Sequence, residues 1–312
     1  MQMMIVLLLL CSTIFITILF FQKQTARRKS NTPPPSPPRL PFIGNLHQLG
    51  RYPHRSLCFL SRRYGPLMIL HFGRVPVLVV SSVGAARDVL KTHDRVFASR
   101  PQSKIFEKLM YNGRDVAVAP YGEYWRQMKS VCVLHLLSHK MEEVRTCCKR
   151  RSSVSEEDLQ NMKYLKAVIK ETLRLHPPLP LLVPHKSTQE VILRDYGIPA
   201  GTQVTINAWA IGREAATWGQ DAESFRPERH LDSSVDFRGH DFELIPFGAG
   251  RRICPAISFA AVLNEFVLAN LVHQLNWRLP AESNEVKTNV AESIGTVIHR
   301  MFPLYAIASS TT

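Results

Sequence analysis

Pro246-Phe247-Gly248-Ala249-Gly250-Arg251-Arg252-Ile253-Cys254-Pro255-Ala256 is the stretch on which the reading of this chain turns. Glycines at 248 and 250 permit a tight bend and let the backbone approach a flat ligand closely. The mostly apolar run Ala256 to Gln274 follows directly and predicts a buried helix. The amino end of that helix, with the amides near Cys254, favours a thiolate, the form of cysteine that ligates metal. Arg252 can neutralise an anionic group beside it. The other reading of the same residues is a glycine loop around a buried structural cysteine.

Upstream, Ser155-Glu156-Glu157-Asp158 places acids in a first helical turn. Leu159, Met162, Leu165, Ile169 and Leu173 then recur at spacings of three and four, predicting a single helix that Pro177 and Pro178 stop. Short strands are predicted at Val191 to Leu193 and at Gln203 to Ile206, followed by a long turn-rich segment to Pro246. In the amino-terminal half, Val75 to Val80 is β-rich but contains Pro76, which predicts a strand near a sheet edge. Ser82 to Thr92 and Tyr121 to Leu137 predict helices, the first with Ser82 as its cap.

The chain begins with seventeen uncharged residues, Ile5 to Phe21, followed by Lys23, Arg27, Arg28 and Lys29. This predicts a membrane anchor of minimal length, with the positive flank held in the cytosol. A cleaved signal peptide would need its basic residues before the apolar run and a small-residue cleavage site after it; neither is present. Pro33-Pro34-Pro35-Ser36-Pro37-Pro38 and the residues up to Asn45 predict a stiff extended spacer, with a ligand for a proline-binding module as the alternative. From Met141 to Val154 the chain is polar and basic, with vicinal Cys147 and Cys148. The organisation is therefore an anchor at 1–22, a basic and proline-rich hinge at 23–45, globular sequence at 46–140, a junction at 141–154, and a second globular part at 155–312.

Composition sets the limits within which these readings stand. An apolar fraction of 45% with 21% charged residues excludes a chain disordered throughout. Six cysteines without a C-x-x-C pair suggest neither a zinc module nor a disulfide framework, and point to a reducing compartment. The net charge of +14 favours an anionic partner without choosing among nucleic acid, lipid and acidic protein, and no nucleic-acid-binding module is present.

The glycine loop resembles the haem-binding signature of the cytochrome P450 family, Phe-x-x-Gly-x-Arg-x-Cys-x-Gly, at Phe247, Gly250, Arg252 and Cys254, with Ala256 in place of the last glycine. Glu171-Thr172-Leu173-Arg174 is similar to the family's Glu-x-x-Arg, and Phe225-Arg226-Pro227-Glu228-Arg229-His230 to its Pro-Glu-Arg-Phe segment, with His230 where phenylalanine is common. Trp125-Arg126-Gln127-Met128-Lys129 resembles the Trp-Arg helix. The proline hinge and Phe97-Ala98-Ser99-Arg100-Pro101 resemble plant microsomal members of specialised metabolism.

What the resemblance implies follows residue by residue. Cys254 would be the proximal iron ligand of haem b, with Phe247, Gly250 and Arg252 in the same loop. Trp125, Arg126 and His185 would reach haem propionates, and Glu171, Arg174 and Arg229 would form a buried structural triad. Substrate contacts would come from Ser103 to Val118, Leu179 to Val183 and Ile294 to Ile298, mainly apolar segments that suit a hydrophobic small molecule. The implied fold is mainly α with small β-sheets, preceded by a transmembrane helix. The implied protein is a single-pass endoplasmic reticulum monooxygenase facing the cytosol, fed with NADPH electrons by a cytochrome P450 reductase.

One family feature is missing from the sequence. The family's central helix carries a pattern close to (Ala/Gly)-Gly-x-(Asp/Glu)-Thr-(Thr/Ser), and its nearest counterpart here, Ala200-Gly201-Thr202-Gln203-Val204, lacks the acid and the following threonine. No catalytic acid or threonine is therefore assigned, and the fold is expected to be incomplete between Met141 and Val154. Loss of that helix would open the distal side of the pocket to water. The alternative to an impaired monooxygenase is a non-catalytic membrane-anchored remnant that binds haem or competes for reductase.

Overall fold

The structure is a computed structural model that describes residues 32–136, 154–280, 292–293, 295 and 297–310. The expected anchor, the first part of the hinge and all of the junction except Val154 lie outside the described residues. Among the described residues no helix is long and apolar enough to cross a membrane.

Asn45 closes the proline-rich segment, and that segment does not stand off as a spacer. It is extended, as its prolines require, but Pro34 and Pro37 are buried and Ile69 N–H donates to Pro35 O at 2.9 Å. The wholly buried Asn45 accepts from His71 N–H at 2.8 Å and donates to Pro38 O at 3.2 Å. The hinge is thus tied to the first strand of the sheet.

Helix α1 (Pro53–Tyr64) leads into a hairpin of β1 (Leu67–Phe72) and β2 (Val75–Val80), then α2 (Val83–Arg87), which widens into a π turn over Asp88–Thr92. Ser82 caps α2, its hydroxyl accepting from Ala85 N–H, as expected. Helices α3 (Lys104–Leu109) and α4 (Glu123–Val131) complete the first half. Ser155 opens the second half with a capping box to Asp158. The single helix expected there breaks at Met162 (φ −83°, ψ 63°) into α5 (Glu156–Asn161) and α6 (Lys163–Leu175). Next come β3 (His185–Lys186), a hairpin of β4 (Val191–Leu193) and β5 (Tyr196–Ile198), β6 (Gln203–Ile206) and the short helices α7 (Ala208–Ile211) and α8 (Ala215–Trp218). After the turn-rich segment, α9 (Ile257–Gln274) precedes the ribbon β7 (Leu275–Arg278) and β8 (Ile307–Ser310).

The main sheet has the order β1-β2-β6-β3. β2 is therefore an interior strand that adjoins the edge strand β1, near a sheet edge as expected. Its proline is tolerated because parallel pairing with β6 starts only at Val77, one residue beyond Pro76. Alternation along β2 sends Leu78 and Val80 to one face and Val77 and Val79 to the other. The first face packs on Ala85, Val89, Leu90 and Phe97 and reaches Ile245 and Ala249. The glycine loop is fastened to the sheet through this cluster.

Helix α9 also departs from expectation. Its apolar composition predicts burial, yet only Ala261 and Ala269 are buried, while Phe259, Leu263, Phe266, Val267 and Leu271 are exposed. A helix buries what its neighbours cover, and the described elements α5, α6 and β7 cover one side of α9 alone.

Candidate functional site

The loop from Pro246 to Pro255 owes its shape to two glycines in the left-handed region, Gly248 at φ 73° and Gly250 at φ 68°. A Cβ on Gly250 would strike the carbonyl of Leu90, whereas one on Gly248 would meet open space. The bend is closed by Gly248 N–H donating to Ile245 O at 3.0 Å and Cys254 N–H donating to Phe247 O at 3.0 Å. Cys254 is a free, half-buried thiol.

Cys254 lines a cavity of about 340 Å³, whose walls include Phe247 and Gly248 from the loop and Leu179, Leu182 and Val183 from the segment after α6. Trp125, Arg100, His185 and Arg252 complete the polar side. Two of the predicted substrate-contact segments thus reach this cavity, the first through Val116. The third does not: Ile298 lines a separate cavity of about 250 Å³ with His54 and Trp209, and Ile294 lies outside the described residues.

Arg252 is buried, with Nη2 donating to Ala119 O at 2.8 Å and to Ala117 O at 3.2 Å. Its guanidinium carbon lies 4.3 Å from the Trp125 ring centroid, and its Nη1 is buried without a hydrogen-bond partner. Arg100 donates through Nη1 to Val183 O at 2.6 Å and Pro184 O at 2.9 Å, and through Nε to Ala117 O at 3.1 Å. Neither arginine has a carboxylate partner among the described ion pairs. Burial lowers Arg100 to about 9, with the charge of Arg252 adding to the effect, and burial lowers Arg252 to about 10. Two desolvated cations at one cavity wall make a site that gains from an anionic ligand.

The buried His185 places Nδ1 2.8 Å from Phe97 O. A carbonyl only accepts, so Nδ1 carries the proton and Nε2 is an acceptor. Burial first, and the charge of Arg100 second, push His185 down to about 3, and it is neutral near pH 7. Trp125 is also brought to the cavity, although its Nε1–H is spent on Val116 O at 2.8 Å. Arg126 is not: α4 turns Trp125 inward and leaves Arg126 exposed, outside the cavity wall. Arg100, quoted in the sequence only as part of a motif, is the cavity residue that sequence reasoning missed. Its signal was an arginine close behind the buried apolar run Val96, Phe97 and Ala98.

Behind the cavity, Leu173 of α6 faces the site while Glu171 and Arg174 point away from it into a buried ion cluster. Arg174 donates through Nε and Nη2 to the two carboxylate oxygens of Glu171, both at 2.8 Å, and through Nη1 to Gly212 O and Ala222 O. Arg229 Nε donates to Glu171 Oε1 at 3.1 Å, so the predicted triad is assembled. It has a fourth member, His230, whose Nε2 lies 2.9 Å from Glu171 Oε2. Burial alone would raise the Glu171 carboxyl. The hydrogen bonds from Arg174, His230 and the Arg226 amide outweigh it and hold the carboxyl well below the usual range.

Among the described residues no three His, Cys, Asp or Glu side chains gather to hold a metal ion. A metal at Cys254 would therefore arrive with donor atoms of its own. A flat prosthetic group bearing carboxylates fits what is present: a single thiol, an open glycine face beside it, and unneutralised arginines on the polar side.

Comparison with known proteins places this geometry. The sequence profile of the family described as Cytochrome P450 matches residues 34–148 and 140–301, two pieces that meet at the polar junction. Cytochromes P450 71A21 and 71A26 of Arabidopsis thaliana are each 49% identical, over 89% of this chain and 93% of the relative. Each alignment runs for 456 residues, more than the 312 of this chain, so the relatives carry a long stretch with no counterpart here. A zebra fish cytochrome P450 solved with abiraterone has the same fold, with a TM-score of 0.67, 19% identity and coverage of 83% of this chain and 100% of that one. The chain belongs to the cytochrome P450 family, oxidoreductases of the monooxygenase type, and resembles the plant 71A branch.

Proposed function

We propose that Cys254 is the thiolate ligand of haem b and that this chain is a haem-thiolate protein impaired in monooxygenation. The observation that carries the reading is that one cavity is lined both by a free thiol and by Arg252, whose Nη1 is buried and unpartnered. When bound, the haem would supply the oxygen-activating chemistry that the family's thiolate ligation favours. The chain's own residues have narrower tasks. Cys254 holds the iron, Arg252 and Arg100 neutralise haem carboxylates, and the neutral Nε2 of His185 accepts a hydrogen bond from a protonated group at the same wall. Leu179, Leu182 and Val183 exclude water on the apolar side, which fits a hydrophobic small-molecule substrate. The Glu171, Arg174 and Arg229 cluster fixes α6 and the turn-rich segment behind the loop, a structural role.

Electrons would come from NADPH through a cytochrome P450 reductase, and the uncharged run Ile5 to Phe21 would hold the chain in the endoplasmic reticulum membrane with its bulk in the cytosol. The impairment rests on sequence: the acid and threonine that manage protons on the distal side are missing, as is much of the length that the relatives possess. A dry pocket with directed protons is what oxygen chemistry needs, and this chain has lost the segment that would supply both.

The test is a difference spectrum of the reduced, carbon monoxide-treated full chain after reconstitution with haemin. A thiolate-type band that Cys254→Ser removes, with substrate turnover near background, is the expected result. No such band in the unaltered chain sinks the assignment of Cys254. A band with ordinary turnover overturns the impairment and restores the full monooxygenase reading, whereas a band without turnover, together with inhibition of an intact relative through shared reductase, supports the remnant.

A further inference from the structure

The separate cavity of about 250 Å³ is lined by residues of α1, α6, α7 and the carboxyl-terminal segment, and the haem reading makes no use of it. Pro177, Pro180 and Ile298 supply its apolar lining. The carboxyl-terminal segment is seated here by Ile298 N–H, which donates to Pro178 O at 2.8 Å, and by Tyr52 Oη, which donates to Glu292 O at 3.3 Å. A cavity of about 150 Å³ already admits a benzene ring, so this one has room for one or two fused rings with a polar group. Trp209 of α7 also lines it, and the indole Nε1–H is buried without a hydrogen-bond partner. A buried donor of this kind gains from any acceptor brought to it.

The charges around the cavity favour an anion. Glu292 and Arg300 both line it, but the Glu292 carboxylate is already compensated: its Oε2 lies 2.9 Å from Arg55 Nη2 and 3.2 Å from His54 Nε2. The guanidinium carbon of Arg213 lies 3.9 Å from the Trp209 ring centroid, and Arg213 pairs on the surface with the exposed Glu223 at 2.9 Å. His176, on the same cavity, is lowered first by desolvation and next by Arg213, whose charge outweighs the opposing pull of Glu292, with Arg55 and Arg174 adding to it. The potential beside His176 is therefore positive, and an ammonium group would meet both that potential and a donor it cannot accept from. We propose that this cavity binds a small aromatic carboxylate, with its ring against Pro177, Pro180 and Ile298 and its carboxylate accepting from the Trp209 Nε1–H. The proposal does not depend on haem.

The test is equilibrium dialysis of the full-length chain in nonionic detergent against naphthoate, corrected for uptake by detergent alone and run with and without saturating haemin. Saturable binding of one naphthoate per chain is expected, unchanged by haemin. Naphthylmethylammonium, of similar shape and opposite charge, should bind at least about tenfold more weakly. Trp209→Phe keeps the aromatic ring and removes the donor, and should lower naphthoate affinity about tenfold. Ile298→Trp fills the apolar side and should abolish binding, and circular dichroism checks that both variants keep their helix content. No saturable binding to the unaltered chain, equal binding of the ammonium, or undiminished affinity in either variant would each overturn the proposal. Displacement by haemin would overturn it as well, because it would move the probe to the cavity of Cys254.

Discussion

His230 Nε2 lies 2.9 Å from Glu171 Oε2, and neither side chain is exposed. The histidine stands where the sequence resemblance had phenylalanine, and it serves the ion cluster that phenylalanine could not join. Glu171 thereby receives hydrogen bonds from Arg174, Arg229, His230 and the Arg226 amide, leaving its buried charge well compensated.

Removing that charge should be costly. Glu171→Gln leaves two arginines without their anion, and we expect a loss of about 3–5 kcal/mol in a urea unfolding titration. His230→Phe removes one hydrogen bond to a charged group and should cost about 1.5–3 kcal/mol. Equal stability of the Glu171→Gln protein and the parent would show that the cluster does not hold the fold.

Acid should unfold the protein in two stages. The folded His185 is held down to about 3 from an ordinary 6.5, so between those values the unfolded chain binds the proton that the folded one refuses. Stability is therefore full above pH 6.5, declines as pH falls toward 3, and loses nothing further from this group below that. Glu171 has a depressed carboxyl, and its contribution is present above 4.5 and fades as pH drops below that value. His185→Gln should reduce the slope of the upper part of the pH profile of thermal unfolding without abolishing it, because burial also lowers His54, His71 and His176, and should leave the lower part in place.

The cavity arginines divide the basic residues of this region by function. Arg252→Ala or Arg100→Ala should weaken haemin binding, measured by absorbance titration, about tenfold, since each removes a desolvated cation from the wall. Arg126→Ala should change it by less than about twofold, because Arg126 is exposed outside the cavity. The reverse ordering would return Arg126 to the site.

Gly250→Ala should lose about 1–3 kcal/mol in chemical unfolding, since φ is 68° and the added methyl would strike the Leu90 carbonyl. Gly248→Ala shares the positive φ but meets open space, so its smaller loss should reflect backbone strain alone.

Much of this was legible in the chain itself. The cysteine loop, the Glu171, Arg174 and Arg229 cluster, the Ser82 cap and the strands at 75–80, 191–193 and 203–206 follow from residue types at fixed spacings, and local geometry reproduces them. Such features are short-range: a cap, a turn or an i to i+3 pair is decided by neighbours in sequence. Tertiary structure alone decided the rest. Pro76 sits in an interior strand because β6 begins its pairing one residue later, and the hinge docks because Asn45 finds the backbone of β1. Arg100 becomes a wall of the cavity because packing carries Phe97 into the core beside it, while Arg126 is left outside by the turn of its helix. Helix α9 shows the physical reason most plainly: apolar sequence states what a surface would gain by burial, but only the presence or absence of a neighbouring element decides whether it is buried.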